Sequence, residues 1–386
     1  MTRPLRVVHV ITGLSVGGAE TLLVRLLARR NPENVQAKVI SLTGEGPLAD
    51  VLRGLNVPVE CLGLKGFFSF PATLLRLTSI LRRERPDVIQ TWLYHGDFLG
   101  GLSGWMAGGV PVIWGIHSST LEPGAVRRST RWLVRLLARL SRLLPSRIVS
   151  CSEESRRIHV ALGYEAERFR VIPNGFDTEA FRPDPAARDE ARRALGRPAS
   201  ELWVGMVSRF HPQKDHRNFL EAAALLAPRH PDLHFVLCGE GVDAKNLDLV
   251  SWARSLGVED RCLFLGARRD VNKVMSSLDV FVSASRFGEA FPLVVGEAMS
   301  CGVPCVVTDV GDSALLVGRT GVVVPPRSPE RLAEGVESLL ALSPDRRREL
   351  GEAARRRIME NYGIERMSRR YEDLYRETTS SNEREP

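Results

Sequence analysis

The 386-residue chain is 44% hydrophobic and 26% charged, the balance of a globular protein that buries a core, and it is long enough for two or three domains. Its 53 basic and 46 acidic residues leave a formal charge of +7, which favours anionic partners (phosphates, lipid headgroups, nucleic acid) without choosing among them. No apolar stretch is long enough to span a membrane, and VVHVITGL after MTRPLR is too short for a signal-peptide core, so a cytoplasmic protein is expected.

Short β-branched runs alternate with helical patterns, as in parallel α/β architecture. The first series is RVVHVI (6–11), QAKVISL (36–42), DVIQTW (87–92), PVIWGIH (111–117), RIVSCS (147–152) and RVIPN (170–174), with helical patterns that include 17–30 and 70–85. The stretch 174–198, rich in proline and charge, reads as a linker. A second series follows: LWVGMVSRF (202–210), LHFVLCG (233–239), CLFLG (262–266), DVFVSAS (279–285), PCVVTDV (304–310) and TGVVVPP (320–326). The expected fold is α/β with two Rossmann-like doubly wound domains, 1–176 and 177–360, facing a central cleft. A polar tail, 377–386, is expected to be disordered. Cys61, Cys151, Cys238, Cys262, Cys301 and Cys305 contain no CxxC pair and read as reduced thiols, with no metal site among them.

Ligands of open parallel sheets bind beyond the carboxyl ends of the strands, so residues after strands are the candidates. In TGLSVGGAE (12–20), Gly17 and Gly18 at a helix start let backbone amides approach a phosphate. The stretch is not GxGxxG, and no acidic residue ends the second strand run, which weakens a dinucleotide reading. His9 lies inside a strand and reads as core. His95 in TWLYHGD and His117 in WGIHSS follow strands; His117 is placed to touch a substrate across the cleft and His95 to line the acceptor side, with a structural role equally open for each.

AVRRSTRWLVRLLARLSRLLPSR (125–147) places Arg128, Arg131, Arg135, Arg139 and Arg142 at three- and four-residue steps along one helix face. Leu133, Leu136, Leu137, Leu140 and Leu144 lie largely opposite. The pattern suits an interfacial helix against anionic lipid. A domain helix with a core-facing leucine stripe is the ordinary alternative. Aromatic interleaving is sparse, which disfavours nucleic acid.

In VSRFHPQKD (207–215), Arg209 and Lys214 could neutralise a diphosphate without a metal, and the chain has no Asp-x-Asp pair. In LCGEGVD (237–243), Gly239, Glu240 and Gly241 allow close approach of a ligand, plausibly a base; a tight turn is an equal reading. SRFGEAFPLVVGEAMSCG (285–302) is the most telling stretch. Pro292 suits a first helical turn, Leu293 onward the helix, and Gly302 its end. The free first-turn amides make an anion site, flanked by Glu289 before it and Glu297 within the helix. Carboxylates repel phosphate but grip hydroxyls, so a glutamate on each side of a diphosphate suits a nucleotide sugar. A solvated loop glutamate and a helix glutamate favoured by the macrodipole are the alternative for either residue alone.

EAFPLVVGEAMSCGVPCVVTD resembles the E-x7-E motif of the retaining family-four glycosyltransferases, which have the GT-B fold. The likeness continues through IPNGFD (172–177), GGAE (17–20), Arg209 with Lys214, and TGVVVPP, and spans nearly the whole chain. It implies a nucleotide-sugar donor on the carboxyl-terminal domain, an acceptor on the amino-terminal domain, and a last helix, 361–376, crossing back to the first domain. Glu297 would hold ribose hydroxyls. Glu289 would lie by the donor sugar, and Phe291, Pro292 and Leu293 would give amides to it and to the diphosphate. Arg209 and Lys214 would stabilise the leaving nucleoside diphosphate, and His117 would contact the donor sugar. Transfer would retain configuration by same-face attack, with no cofactor beyond the donor substrate. Two positions depart from the family pattern: Ala290 replaces a usual glycine, and TDVGDSALLVG (308–318) lacks a glutamate often found there. A saccharide or lipid-linked acceptor is expected, with peripheral membrane contact through the Arg128–Arg142 stretch. A nucleotide-sugar epimerase of the same architecture and a non-catalytic scaffold are the rival readings.

Overall fold

The computed structural model describes residues 3–66, 69–117, 127–194, 196, 198 and 201–382. The chain forms two compact units: Met1–Gly175 together with Ile364–Pro386, and Phe176–Gly363. Each is built on one parallel sheet.

The first sheet contains β1 (Leu5–Ile11), β2 (Val35–Ser41), β3 (Val59–Cys61), β4 (Val88–Trp92), β5 (Val112–Ile116), β6 (Arg147–Ser150) and β7 (Phe169–Val171), in the order β3-β2-β1-β4-β5-β6-β7. Every residue of β4 and β5 is buried, which requires cover on both faces and explains why these runs lack polar alternation. One face packs Val7, Val39, Leu23 and Tyr371, the other Val8, Ile40, Ile89 and Leu137. β3 has no counterpart among the sequence-derived runs. It is three residues long, begins just after Pro58, and pairs with β2 at the sheet edge.

The second sheet contains β8 (Leu202–Val207), β9 (Leu233–Cys238), β10 (Cys262–Phe264), β11 (Val280–Ser283), β12 (Cys305–Thr308) and β13 (Gly321–Val324), in the order β10-β9-β8-β11-β12-β13. Strand order reverses between β1 and β4 in one sheet and between β8 and β11 in the other, the positions where doubly wound sheets open a crevice.

Three sequence expectations change. Residues 185–194, read as linker, form a helix from Pro185 to Ala194. Two of its arginines hold one carboxylate: Arg188 donates to Asp279 at 2.6 Å and Arg192 at 2.8 Å, and Asp279 also accepts from the Trp203 backbone N–H at 2.8 Å. Arg192 is 1% exposed, with its guanidinium over the Trp203 ring. The last helix runs from Ile364 to Asn382, beyond the expected end at 376. It buries Met367, Tyr371, Leu374 and Tyr375 in the first unit's core. The polar residues that follow stay helical because Glu377 pairs with Arg147 at 3.0 Å and Arg170 at 3.3 Å, and the Thr378 hydroxyl donates to the Leu374 carbonyl. Residues 383–386 of the expected tail lie outside the described residues. Finally, the basic helix spans Arg128–Leu140, with Arg142 in the turn after it. It buries Val134, Leu137 and Ala138, while Leu136, expected on the inner face, is 42% exposed.

Replacing Asp279 with alanine leaves Arg192 buried without its counter-charge. The D279A variant should lose about 3–5 kcal/mol of stability in the second unit, read from hydrogen exchange of the β8 amides under increasing urea. A loss below about 1 kcal/mol would mean the pair behaves as a surface contact.

Candidate functional site

β8 and β11 are neighbours, so the loops that leave their carboxyl ends, 208–215 and 284–292, run side by side. The Arg286 N–H donates to the Gln213 carbonyl at 2.9 Å, stitching the two. Lys214 Nζ forms an ion pair with Glu289 Oε1, and the Ser285 hydroxyl donates to the same oxygen at 2.7 Å. Both side chains of the ion pair are largely shielded from water. Both contacts fall on Oε1, and Glu289 Oε2 meets no hydrogen-bond partner among the described residues. Ser285 is fixed in turn by Thr308 at the end of β12, whose hydroxyl donates to the Ser285 carbonyl at 2.6 Å.

Ser285 and Thr308 were not singled out in the sequence. Their signal is weak: a serine four residues before Glu289 at a strand end, and a threonine whose partner is distant in the chain. Gly311, in the loop after β12, has φ of +59°, and a side chain there would overlap the Glu289 carbonyl. The Asp312 N–H donates to the Ala290 carbonyl at 3.0 Å. The departures from the family pattern thus fall on segments that touch each other.

The helix after β11 runs from Leu293 to Ser300, with Pro292 as its N-cap rather than its first residue. No side chain caps it, so the first-turn amides of Leu293, Val294 and Val295 are the donors the helix offers. Pro292 has no N–H and cannot give the amide expected of it; Val294 is a first-turn residue that carries one. Phe291 is buried against Phe176 and Tyr362, and Gly296 lies under the Phe176 ring where no side chain would fit. Glu297 is buried one turn into the same helix.

Gly239 has another reason than ligand approach. With φ of +148°, a side chain on it would overlap the Ser208 carbonyl, so glycine lets the loop after β9 press on the loop after β8. The exposed Glu240 accepts from the Phe210 N–H through its backbone carbonyl at 2.7 Å, and Arg209, just before Phe210, is exposed. Arg209, Lys214, Gly239, Glu240, Glu289, Phe291, Pro292, Leu293 and Glu297 therefore share the carboxyl edge of the second sheet. The cluster offers a lysine, an exposed arginine, helix amides, the two buried carboxylates of Glu289 and Glu297 and the exposed one of Glu240: groups able to hold a diphosphate and sugar hydroxyls.

Gly17, Gly18 and His117 belong to the first unit. Gly17 caps the helix Gly18–Ala28, and the Glu20 carboxylate folds back against the position a Gly17 side chain would take. That acid lies beside the helix start where a phosphate was expected. His117 follows β5 and stacks on Trp92 at the end of β4, with ring centroids 4.8 Å apart. Its Nε2 is enclosed and meets no hydrogen-bond partner among the described residues. Asp97 ties the two strand ends: its Oδ1 accepts from the Thr91 hydroxyl at 2.6 Å and the Gly115 N–H at 3.1 Å. Burial pushes the Asp97 carboxyl up to about 8. His95 is half-buried, and burial lowers its pKa. His9 is buried and accepts from Trp92 Nε1 at 3.2 Å. Ser118 and Ser119 of the same stretch lie outside the described residues.

Burial lowers the His117 pKa from 6.5 to about 4. Because the folded value lies below the unfolded one, its contribution to stability is present above pH 6.5 and is lost as pH falls toward about 4. An NMR titration should find the His117 ring neutral throughout the range between those values. A midpoint near 6.5 would place the ring in water instead.

Residues 187–357 match the family model described as glycosyl transferases group 1, and residues 16–180 match glycosyltransferase family 4. A D-inositol 3-phosphate glycosyltransferase of Rhodococcus erythropolis is 30% identical over 373 residues, covering 88% of this chain and 81% of that protein. The UDP-Gal:alpha-D-GlcNAc-diphosphoundecaprenol alpha-1,3-galactosyltransferase of Escherichia coli is 29% identical, covering 70% of this chain and 71% of that one. The crystal structure of Anabaena HepE in complex with UDP superposes with a TM-score of 0.85 at 21% identity, over 96% of this chain and 99% of the other, a likeness of fold. The two parallel α/β units are those of a GT-B fold, and the chain belongs to glycosyltransferase family 4.

Proposed function

We propose that the protein transfers a sugar, with retention of configuration, from a nucleotide-sugar donor to a saccharide or lipid-linked acceptor during cell-surface polysaccharide or glycolipid synthesis. The observation that carries the reading is the Lys214–Glu289 pair at the head of an uncapped helix, on the switch point of the second sheet. The diphosphate meets the first-turn amides with Arg209 and Lys214 beside it, and Glu297 takes the ribose hydroxyls. Glu289 holds the donor sugar through Oε2 while its other oxygen keeps Lys214 in position. The acceptor hydroxyl attacks the anomeric carbon on the face the diphosphate leaves. As the new bond forms and the old one breaks, the proton passes to the departing phosphate oxygen. Two cations balance that departing charge, which needs no metal of the protein's own.

One relative named for a UDP-galactose donor and a diphosphoundecaprenol-linked acceptor, and a structural neighbour holding UDP, support a UDP-sugar and a lipid-linked acceptor. Such an acceptor calls for contact with the inner face of the membrane, which we assign to the helix Arg128–Leu140 with Arg142. Among the described residues no helix is long and apolar enough to cross a membrane.

In a thermal-shift screen of UDP-, GDP- and ADP-sugars, a UDP-sugar should stabilise most, by about 2.7 kcal/mol at a hundred times its dissociation constant. No shift with any of the three would remove the donor assignment. Glu289→Gln should lower kcat on the order of a hundredfold or more while donor affinity stays within a few-fold. Turnover at the wild-type rate would take Glu289 out of the site, and a product of inverted configuration would overturn the retaining mechanism. Isomerisation of donor alone would favour the epimerase.

A further inference from the structure

Between Glu122 and Glu153 the chain contains seven arginines and no acidic residue. The helix Arg128–Leu140 and its following turn present two bands side by side on the exposed face. One is basic: Arg128, Arg135, Arg139 and Arg142. The other is apolar: Trp132 at 70% exposure, Leu136 at 42% and Leu143 at 77%. The buried face, made by Val134, Leu137 and Ala138, already supplies what the core needs. The second apolar band therefore covers nothing within the described residues of its unit.

Beside these bands lies an open cavity of about 420 Å³, lined by Arg135, Ala138, Arg139, Arg142, Leu162 and Gly163. Three arginines border it, about one helical turn apart. Arg168 holds the turn at its end, donating to the Arg142 carbonyl at 2.7 Å. Among the described residues the acid within ion-pair reach of these arginines is Glu165, 3.6 Å from Arg142 Nε. The Arg135 guanidinium sits 5.5 Å from the centre of the Trp132 ring, which joins the two bands.

We infer that this cavity seats the phosphate of an anionic glycerophospholipid in a membrane leaflet, while Trp132, Leu136 and Leu143 enter the boundary between headgroups and acyl chains. The inference rests on the membrane contact proposed above and assigns that contact a specific seat. Guanidinium forks match phosphate oxygens two at a time, so three bordering one cavity recognise a phosphate rather than a diffuse negative potential. A tryptophan with an apolar body and one N–H donor suits the depth at which headgroups end. An acidic protein surface would satisfy the arginines but offer nothing for the adjoining apolar band, which favours the bilayer.

The test is co-sedimentation of the full chain with phosphatidylcholine vesicles, with and without phosphatidylglycerol. Wild type should partition onto the anionic vesicles and little onto the neutral ones. R135Q/R139Q/R142Q should lower that partition on the order of a hundredfold, since each cation near such a surface contributes about a factor of five. Turnover on a soluble acceptor should be unchanged in this variant, which also checks that it folds. R366Q/R369Q/R376Q, removing the same charge from exposed positions on the last helix, should change partition by no more than about threefold. Equal losses in the two triple variants would reduce the effect to net charge and overturn the seat while leaving membrane contact intact. Wild type failing to bind anionic vesicles would overturn both, and neither result bears on sugar transfer.

Discussion

The adjacency of β8 and β11 is the constraint from which the site follows. Lys214 and Glu289 are 75 positions apart, yet they pair because their loops leave neighbouring strands in the same direction. Shielding two charges from water is expensive, and mutual attraction offsets that cost only when further hydrogen bonds complete the geometry. Ser285 supplies one such bond, and Thr308 locks Ser285. A polar cluster this close to a core built from Phe281, Phe291 and Val295 contributes little to stability that apolar residues could not. It holds a lysine, and a carboxylate oxygen without a partner among the described residues, at a fixed place beside helix amides.

The strands flanking the switch point brace it from both sides by the same device. After β9, Gly239 lets the backbone press on Ser208; after β12, Gly311 lets the backbone press on Glu289. Both adopt positive φ, which glycine reaches without penalty. The central loops carry the charged side chains, and the outer loops limit how far those loops can move. Preorganisation of this kind lets a cation act on developing charge without first rearranging. It also gives the glycines a structural reason that has nothing to do with ligand contact.

What the sequence makes legible is what local chemistry decides. The buried strands stand out as β-branched runs because cover on both faces removes polar alternation, and the glutamates of 285–302 stand out because a helix start and two acids fall within one short stretch. What it hides depends on distant partners. Pro185–Ala194 looks like a linker until Asp279 takes two of its arginines, Arg188 and Arg192. Glu377 looks like the start of a loose tail until Arg147 and Arg170 reach it. β3 hides because three residues at a sheet edge carry too little pattern. At Gly17 the local signal for phosphate gives no hint that the Glu20 carboxylate lies beside the same helix start.

The arginine-rich helix marks where spacing stops and exposure must decide. Periodicity places the arginines on one face and makes leucine the natural inner residue, a description that fits a core helix and an interfacial one alike. A helix that only lines a domain needs one apolar stripe. This one has an inner stripe at Val134, Leu137 and Ala138 and an outer one at Trp132 and Leu136, continued by Leu143. Exposed apolar side chains scattered singly are ordinary. Three beside a band of arginines form an amphipathic surface of their own, and within its unit the inner stripe has already met the packing requirement. On the membrane contact proposed above, the outer stripe would meet a medium that accepts cations and hydrocarbon at the same depth, as the headgroup region of an anionic bilayer does.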